Sequence, residues 1–388
     1  MKYISLFSGA GGLDIGLERV GFEAVSLCEI EKVFCETIRV NKDWTHNDGY
    51  SYFYKSKIFN EDIRNMSGRE LCAGQDVDLI VGGPPCQAFS SSGKQLSILD
   101  PRGALVSEFC RIIDEVNPKV FLFENVRGLV TARDKNGIPG GVIKELLSIL
   151  SSIGYSCRAR LLNSADYGAY QRRVRCFIIG SRNGSAPAFP KLEFEQNDND
   201  DQSLFLNRWR KLEDFLINYA DKEEENFIFP GEKLFSQLNT LPNGSGIKSP
   251  GKSEKTRPNG HWGYRQGTFI ADLNLPARTV TGSQSQDWVR WNGILRRLTL
   301  NEVIGLQGFP SDWIFAGNVA QKFKQVGNAV PTIFGEVLGQ MIISHLNNYP
   351  NEKPVLINFP IEFEKYIDYT KKDHEKNKDS RSIHRKFA

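Results

Sequence analysis

Six short apolar runs alternate with stretches that carry the spacing of amphipathic helices, and this alternation constrains the 388-residue chain more than any other feature. Tyr3–Phe7, Ala24–Cys28, Asp78–Val81, Lys119–Phe123, Ser156–Leu162 and Cys176–Gly180 read as strands. Glu31–Val40, Ala104–Val116 and Gly141–Ile153 read as helices. Parallel strands need a long crossover, and a helix is the usual one. The expected fold is therefore α/β, a mostly parallel sheet with helices on both faces. Such sheets hold their ligands at the carboxyl ends of the strands.

After Gly180 the pattern breaks. Residues 183–203, rich in Asn, Asp, Gln and Pro, read as a linker, and Leu204–Ala220 reads as a helix ending in the acidic run Asp221–Glu225. Pro242–Gly263 is loaded with Gly, Pro, Ser and Lys, like a long surface loop. Periodicity resumes at Leu300–Leu306, and an apolar helix, Thr332–Leu346, closes the fold. The highly charged segment from Asn351 onward is expected to be peripheral. No apolar run approaches the roughly 20 residues of a bilayer span, and the N-terminus turns Gly-rich too soon for a signal peptide. Seven cysteines (28, 35, 72, 86, 110, 157, 176) form no Cys-x-x-Cys pair, and five histidines are scattered. These counts argue against a disulfide framework and a metal site, and for a cytoplasmic setting with reduced thiols.

Candidate chemistry sits at strand ends. Gly82-Gly-Pro-Pro-Cys86 follows the third apolar run, and two prolines make the mount of Cys86 stiff. That thiol is either a nucleophile or a packed side chain. Ser8-Gly-Ala-Gly-Gly12-Leu13 follows the first run and opens a helix, as an anion-binding turn or merely a tight connection. Its glycine spacing departs from the dinucleotide fingerprint. Glu29 ends the second run, where a carboxylate commonly takes ribose hydroxyls. Asp62 follows a further short apolar segment. Together they suggest a nucleoside cofactor without a pyrophosphate, and S-adenosylmethionine fits. Glu124 follows Val120-Phe-Leu-Phe123 in a half-apolar setting that raises a carboxyl pKa, so it is a proton donor or a capping group. Arg173 and Arg175 share one side of a strand if both enter it, facing an anionic or carbonyl-bearing substrate or pairing at the surface.

A net charge of +3 says little, but its distribution says more. Arg158, Arg160, Arg172, Arg173, Arg175 and Arg182 cluster with one acid, Asp166. Lys248, Lys252, Lys255, Arg257, Arg265, Arg278, Arg290, Arg296 and Arg297 interleave with Trp262, Tyr264, Phe269, Trp288 and Trp291. Cations mixed with aromatics suit phosphate and base contact, or else a solvated face with core aromatics.

In this order the motifs resemble those of the cytosine-C5 DNA methyltransferases. Phe7-Ser-Gly-Ala-Gly-Gly12, Glu29, Asp62, Gly83-Pro-Pro-Cys-Gln87, Glu124-Asn-Val126, Gln171-Arg-Arg-Val-Arg175, Arg278-Thr-Val-Thr-Gly282 and Gly327-Asn-Ala-Val-Pro331 carry the likeness. It covers residues 3–182 and 276–346, and the chain looks like the compact bacterial form. The resemblance implies a Rossmann-like, S-adenosylmethionine-dependent sheet plus a smaller irregular target recognition domain. Residues 1–182 would be catalytic, 183–275 the recognition domain, 276–348 the return that completes the catalytic domain, and 349–388 a charged tail. Cys86, Glu124, Arg173 and Arg175 would be catalytic. Phe7, Ser8, Gly9, Gly11, Gly12, Leu13, Glu29, Ile30, Asp62, Ile63, Gly83, Pro85, Asn328 and Ala329 would hold the cofactor.

Gln87–Gly103 looks like the family's mobile loop, with Ser90, Ser92, Lys94, Gln95 and Arg102 on DNA, joined by Arg257 and Arg265 from the recognition domain. The implied activity is methyl transfer to C5 of a flipped-out cytosine in a specific double-stranded DNA sequence, through a Cys86–C6 adduct. The implied setting is a monomer in a restriction-modification system, paired with an endonuclease of the same specificity. The RNA-acting branch carries a Cys-Phe-Thr triplet, but here Cys176-Phe177 is followed by Ile178. A catalytically dead binding protein would have lost Cys86, Glu124 or the Gly-rich turn, and all are present.

Overall fold

A computed structural model describes residues 1–85, 104–196, 206–247 and 268–370. Cys86, Ser90, Ser92, Lys94, Gln95, Arg102, Arg257 and Arg265 lie outside the described residues.

Seven strands form one sheet in the order β3-β2-β1-β4-β5-β7-β6. They are β1 (Lys2–Leu6), β2 (Glu23–Cys28), β3 (Lys57–Phe59), β4 (Leu79–Gly82), β5 (Val120–Val126), β6 (Ser156–Asn163) and β7 (Val174–Ser181). The first five are parallel, while β7 is antiparallel to both β5 and β6. Leu79-Ile-Val81 and Val120-Phe-Leu-Phe123 are wholly buried, as strands covered on both faces must be. The pleat divides them between two cores. Tyr3, Leu79, Val81, Val120 and Leu122 pack on one side with α1 (Gly12–Arg19) and α10 (Thr332–Asn347). Ile4, Leu6, Ile80, Phe121 and Phe123 pack on the other with α4 (Ala104–Val116) and α5 (Gly141–Ser152).

Helices α1 and α10 cross glycine on glycine. A Cβ on Gly16 would lie 2.0 Å from the Thr332 carbonyl oxygen, and one on Gly335 would lie 2.1 Å from that of Leu13. Gly335→Val must force the helices apart, so it is expected to cost about 3 kcal/mol or more in chemical denaturation. An unchanged midpoint would refute this crossing.

The structure adds to the sequence reading at three places. The first concerns the apolar closing segment: Val319–Asn347 has the length and apolarity of a bilayer span. It is two helices, α9 (Val319–Asn328) and α10, broken before Pro331, and more than half of its apolar window is buried. The second concerns the tail. Residues 361–370 are helical, and Phe363 and Ile367 are buried in the second core, because apolar residues recur there at helical spacing among the charges.

The third is the boundary of the middle segment. Within 183–275, the helix α6 (Leu212–Tyr219) buries Leu212, Phe215 and Leu216 in the core of α1 and α10. A separate small cluster instead joins Leu238 of α7 (Glu232–Asn239) and Ile270 to Trp288 and Leu295. The last two belong to a hairpin of β10 (Trp288–Trp291) and β11 (Ile294–Arg297), beyond the expected boundary at 275. Asn292 and Gly293 turn it with positive φ, as a two-residue hairpin loop requires. Sequence reading missed this hairpin.

Candidate active site

The strand order reverses direction between β1 and β4, and the motifs gather at the carboxyl ends on either side of that point. After β1, Phe7, Gly9 and Gly11 adopt positive φ, so the chain turns back within a few residues. A Cβ on Gly12 would lie 2.4 Å from the Val330 carbonyl oxygen and 3.0 Å from the Ala329 Cβ. Asn328 and Ala329, at the end of α9, thus fold back beside the first turn. No side chain caps the N-terminus of α1, and the buried Ser8 hydroxyl has no partner among the described residues.

Glu29 staples this turn to the end of β2. One carboxylate oxygen accepts the Gly9 N–H and the other the Glu31 N–H, each at 2.9 Å. Burial raises its pKa, against the pull of these hydrogen bonds. Ile30 beside it is exposed. Asn60, which sequence reading passed over, donates to the carbonyls of Glu29 and Ile30 and so ties β3's end to β2's. Asp62 caps the Arg64 N–H and pairs with the Arg64 guanidinium, which lowers its pKa. Ile63 is buried beneath it. A second overlooked residue is Phe53, whose ring would touch a Cβ on Gly11 at 3.0 Å. It lies in a loop without periodicity, which leaves no signal to find it by.

Across the reversal, β4 runs into Gly83-Pro84-Pro85. A Cβ on Gly83 would lie 2.7 Å from Glu124 Oε2, so glycine alone admits the carboxylate there. Asn125 Nδ2 donates to the Pro84 carbonyl at 3.2 Å and holds the proline turn against β5. Glu124 itself is buried, and Arg175 Nε lies 3.0 Å from its Oε1. The antiparallel register explains the pair, because Arg175 of β7 faces Val126 of β5. Burial pushes the Glu124 carboxyl above its ordinary range, opposed by the charges of Arg175 and Arg173. A buried carboxyl with a raised pKa and a fixed cation can donate a proton or hold a hydrogen bond to a ring nitrogen.

Arg173 departs from the expected pair. Its guanidinium is buried and donates to the carbonyls of Val280 and Gly327, each at 2.8 Å. It locks two return motifs onto the sheet rather than reaching outward. Gln171 shares the task, accepting the Val280 N–H and donating to Gln307. A Cβ on Gly327 would lie 2.0 Å from the Gly282 nitrogen, so the same motifs meet backbone to backbone.

The described part of the basic-aromatic stretch, from residue 268 on, is likewise largely internal. Trp288 is buried, Arg296 pairs with the buried Glu302 at 2.6 Å, and Arg290 donates to the carbonyls of Leu238 and Leu241. Arg297 stacks on the Trp288 ring at 4.1 Å. Trp288 is thus a core aromatic, and Arg290, Arg296 and Arg297 are held by partners within the fold. A cavity of about 680 Å³ opens at the far end of α1, lined by Arg19, Arg210, Phe215 and Trp313 among others, and none of the described candidate catalytic residues borders it.

With this geometry in place, comparison with known proteins is decisive. The profile of the C-5 cytosine-specific DNA methylases matches residues 1–344. The chain belongs to that family. The methylase is 30% identical over 359 residues to the type II methyltransferase M.FnuDI of Fusobacterium nucleatum, covering 88% of this chain and 94% of that one. It is 33% identical over 358 residues to M.PspPI of Psychrobacter sp. (strain TA137), covering 90% and 80%. Among solved structures it resembles the Entamoeba histolytica methyltransferase EhMeth, with a TM-score of 0.59 and 17% identity over 89% of this chain and 98% of that one. A mutant of Spodoptera frugiperda DNMT2 gives 0.58 and 19% over 88% and 99%. At these identities the structural likeness shows the shared fold alone. The methylase is a DNA cytosine-5-methyltransferase with the α/β sheet expected of it.

Proposed function

We propose that this methylase transfers a methyl group from S-adenosylmethionine to C5 of a cytosine turned out of a specific duplex sequence, through a covalent bond between Cys86 and C6. It would serve as the modification half of a restriction-modification system. The observation that carries the reading is the pairing of buried Glu124 with Arg175, set against the Gly83-Pro-Pro turn that leads into Cys86.

The residues at the first turn fit the cofactor. The uncapped start of α1 suits its carboxylate, the unpartnered Ser8 hydroxyl offers a polar contact, and Glu29 keeps lone pairs for ribose hydroxyls. Phe7, Gly9, Gly11, Gly12, Leu13, Ile30, Asp62, Ile63, Gly83, Pro85, Asn328 and Ala329 would complete the pocket. When bound, S-adenosylmethionine supplies an electrophilic methyl group on a sulfonium.

Cytosine C5 is too weak a nucleophile to take that group unaided. Cys86 thiolate would add to C6, and Glu124 would hold or protonate N3 so that charge drains from the ring and C5 becomes nucleophilic. Arg175 would steady O2 and Glu124 together, while Arg173 acts on both through the return motifs it holds. Loss of the C5 proton and then of the thiolate would restore the ring. Reaching the base costs a few kcal/mol of unstacking. Gln87–Gly103 would close over it, and the small unit around Leu238, Trp288 and Leu295 would contribute to target recognition.

Two measurements test this reading. Methylation of duplex DNA and tRNA side by side, with bisulfite sequencing of the DNA, is expected to show C5-methylcytosine at one DNA sequence only. Equal transfer to tRNA would overturn the substrate assignment. Glu29→Ala is expected to weaken S-adenosylmethionine binding by about tenfold or more, the worth of a lost charge-assisted hydrogen bond, with DNA affinity far less affected. Equal losses in titrations of both ligands would contradict the ribose role.

A further inference from the structure

The strand order β3-β2-β1 sets three of the proposed cofactor turns side by side. With the carboxylate at the start of α1 and the ribose at Glu29, the turn after β3 falls to the base. This third turn, which begins at Asp62, has little support of its own. Strand β3 lies at the sheet's edge and pairs with β2 through three residues. The turn is a short 3₁₀ helix, Ile63–Asn65, closed by two backbone bonds. In these, Asn65 N–H donates to the Asp62 carbonyl and Met66 N–H to the Ile63 carbonyl. So short a helix is marginal without tertiary contacts.

The support comes from α4. Arg111 Nη2 donates to the carbonyls of Ile63 and Met66, at 2.9 and 3.0 Å, and so grips both ends of the turn's last bond. The guanidinium is itself fixed by Glu108 and Glu115, on the same face of α4, at 2.7 and 2.6 Å. Through its other oxygen Glu115 accepts the Gly68 N–H at 2.7 Å. A Cβ on Gly68 would lie 2.7 Å from Val116 Cγ2, so the chain leaving the turn is pressed onto the same helix.

We propose that Arg111 is a positioning residue for the cofactor: by holding this turn from α4 it places Asp62 at the base end of the pocket. This rests on S-adenosylmethionine occupying the turns after β1, β2 and β3. Charge alone predicts the opposite effect. The cofactor carries a sulfonium and an ammonium against one carboxylate, so removing a cation from the protein would favour it. Weaker binding on loss of Arg111 therefore reports geometry.

The test titrates S-adenosylmethionine and its neutral product, S-adenosylhomocysteine, calorimetrically into the full chain. The proteins are the wild type, Arg111→Gln, Arg111→Lys, Asp62→Ala and the variant carrying both Asp62→Ala and Arg111→Gln, each checked by thermal unfolding. Arg111→Gln is expected to weaken both ligands by about tenfold, the size of a lost hydrogen bond from a charged group. The KM for the cofactor should rise alike, while kcat at saturating cofactor and DNA changes by less than about twofold. Lysine reaches one carbonyl at most, so Arg111→Lys should lose roughly threefold, and it carries the comparison if the glutamine variant does not fold. In the Asp62→Ala background Arg111→Gln should add less than about twofold, since the contact it positions is gone. Variants that melt earlier yet bind both ligands as tightly as the wild type would overturn the proposal. Losses that multiply in the double variant would do so too. Wild-type affinity in Asp62→Ala would instead overturn the placement of the cofactor at this turn, and the proposal with it.

Discussion

Cys86→Ala is expected to abolish methyl transfer, lowering kcat by on the order of 10⁴ or more, while S-adenosylmethionine binds as before. The size follows from the chemistry: without a nucleophile on C6, C5 never gains the electron density to accept a methyl group. The selectivity follows from the layout. Most of the cofactor's proposed contacts lie on the turns after β1, β2 and β3; Gly83 and Pro85 of the β4 turn, which Asn125 holds at Pro84, join them, but the Cys86 side chain is not among them. Isothermal titration with the cofactor and single-turnover transfer to DNA check the two halves separately. Transfer at the wild-type rate would mean that another group, or none, attacks C6.

Glu124→Gln is the second large effect, with a fall in kcat of about 10² to 10³, since the amide keeps the shape against Gly83 but cannot surrender a proton. The pH profile gives a sharper test. Burial raises the Glu124 pKa, so its protonated form persists above the usual carboxylate range and is lost as pH rises through the raised value. Activity that needs this proton must therefore decline on the alkaline side. Arg175 lowers the same pKa, so Arg175→Gln should move that limb to higher pH even as kcat falls. An alkaline limb that does not move, or moves down, would separate Arg175 from Glu124.

Much of the fold is legible because the sheet is buried on both faces. Runs such as Leu79–Val81 and Val120–Phe123 have no polar side to show, and no other architecture needs several of them with helices between. Strand β3 is harder to read, because three residues carry too little pattern. The candidate-site carboxylates Glu29 and Glu124 were legible by position, each directly after an apolar run. The arginines were not. Arg173, Arg290 and Arg296 count as available cations in the sequence, yet each is bound by Gly327, Leu238 or Glu302, partners that only the fold brings near. Tail residues Phe363 and Ile367 do recur at four-residue spacing, but the charges around them hid a helix face that the core buries.

The central claim is a covalent bond from Cys86 to the target base. Duplex DNA carrying 5-fluorocytosine cannot lose the group at C5 after methyl transfer, so the adduct should persist. Incubated with S-adenosylmethionine, the wild-type methylase is expected to give a complex stable to denaturing electrophoresis, with the cross-link mapping to Cys86 and absent from Cys86→Ala. No stable complex from an enzyme that methylates ordinary DNA, or one formed equally well by Cys86→Ala, would contradict the mechanism.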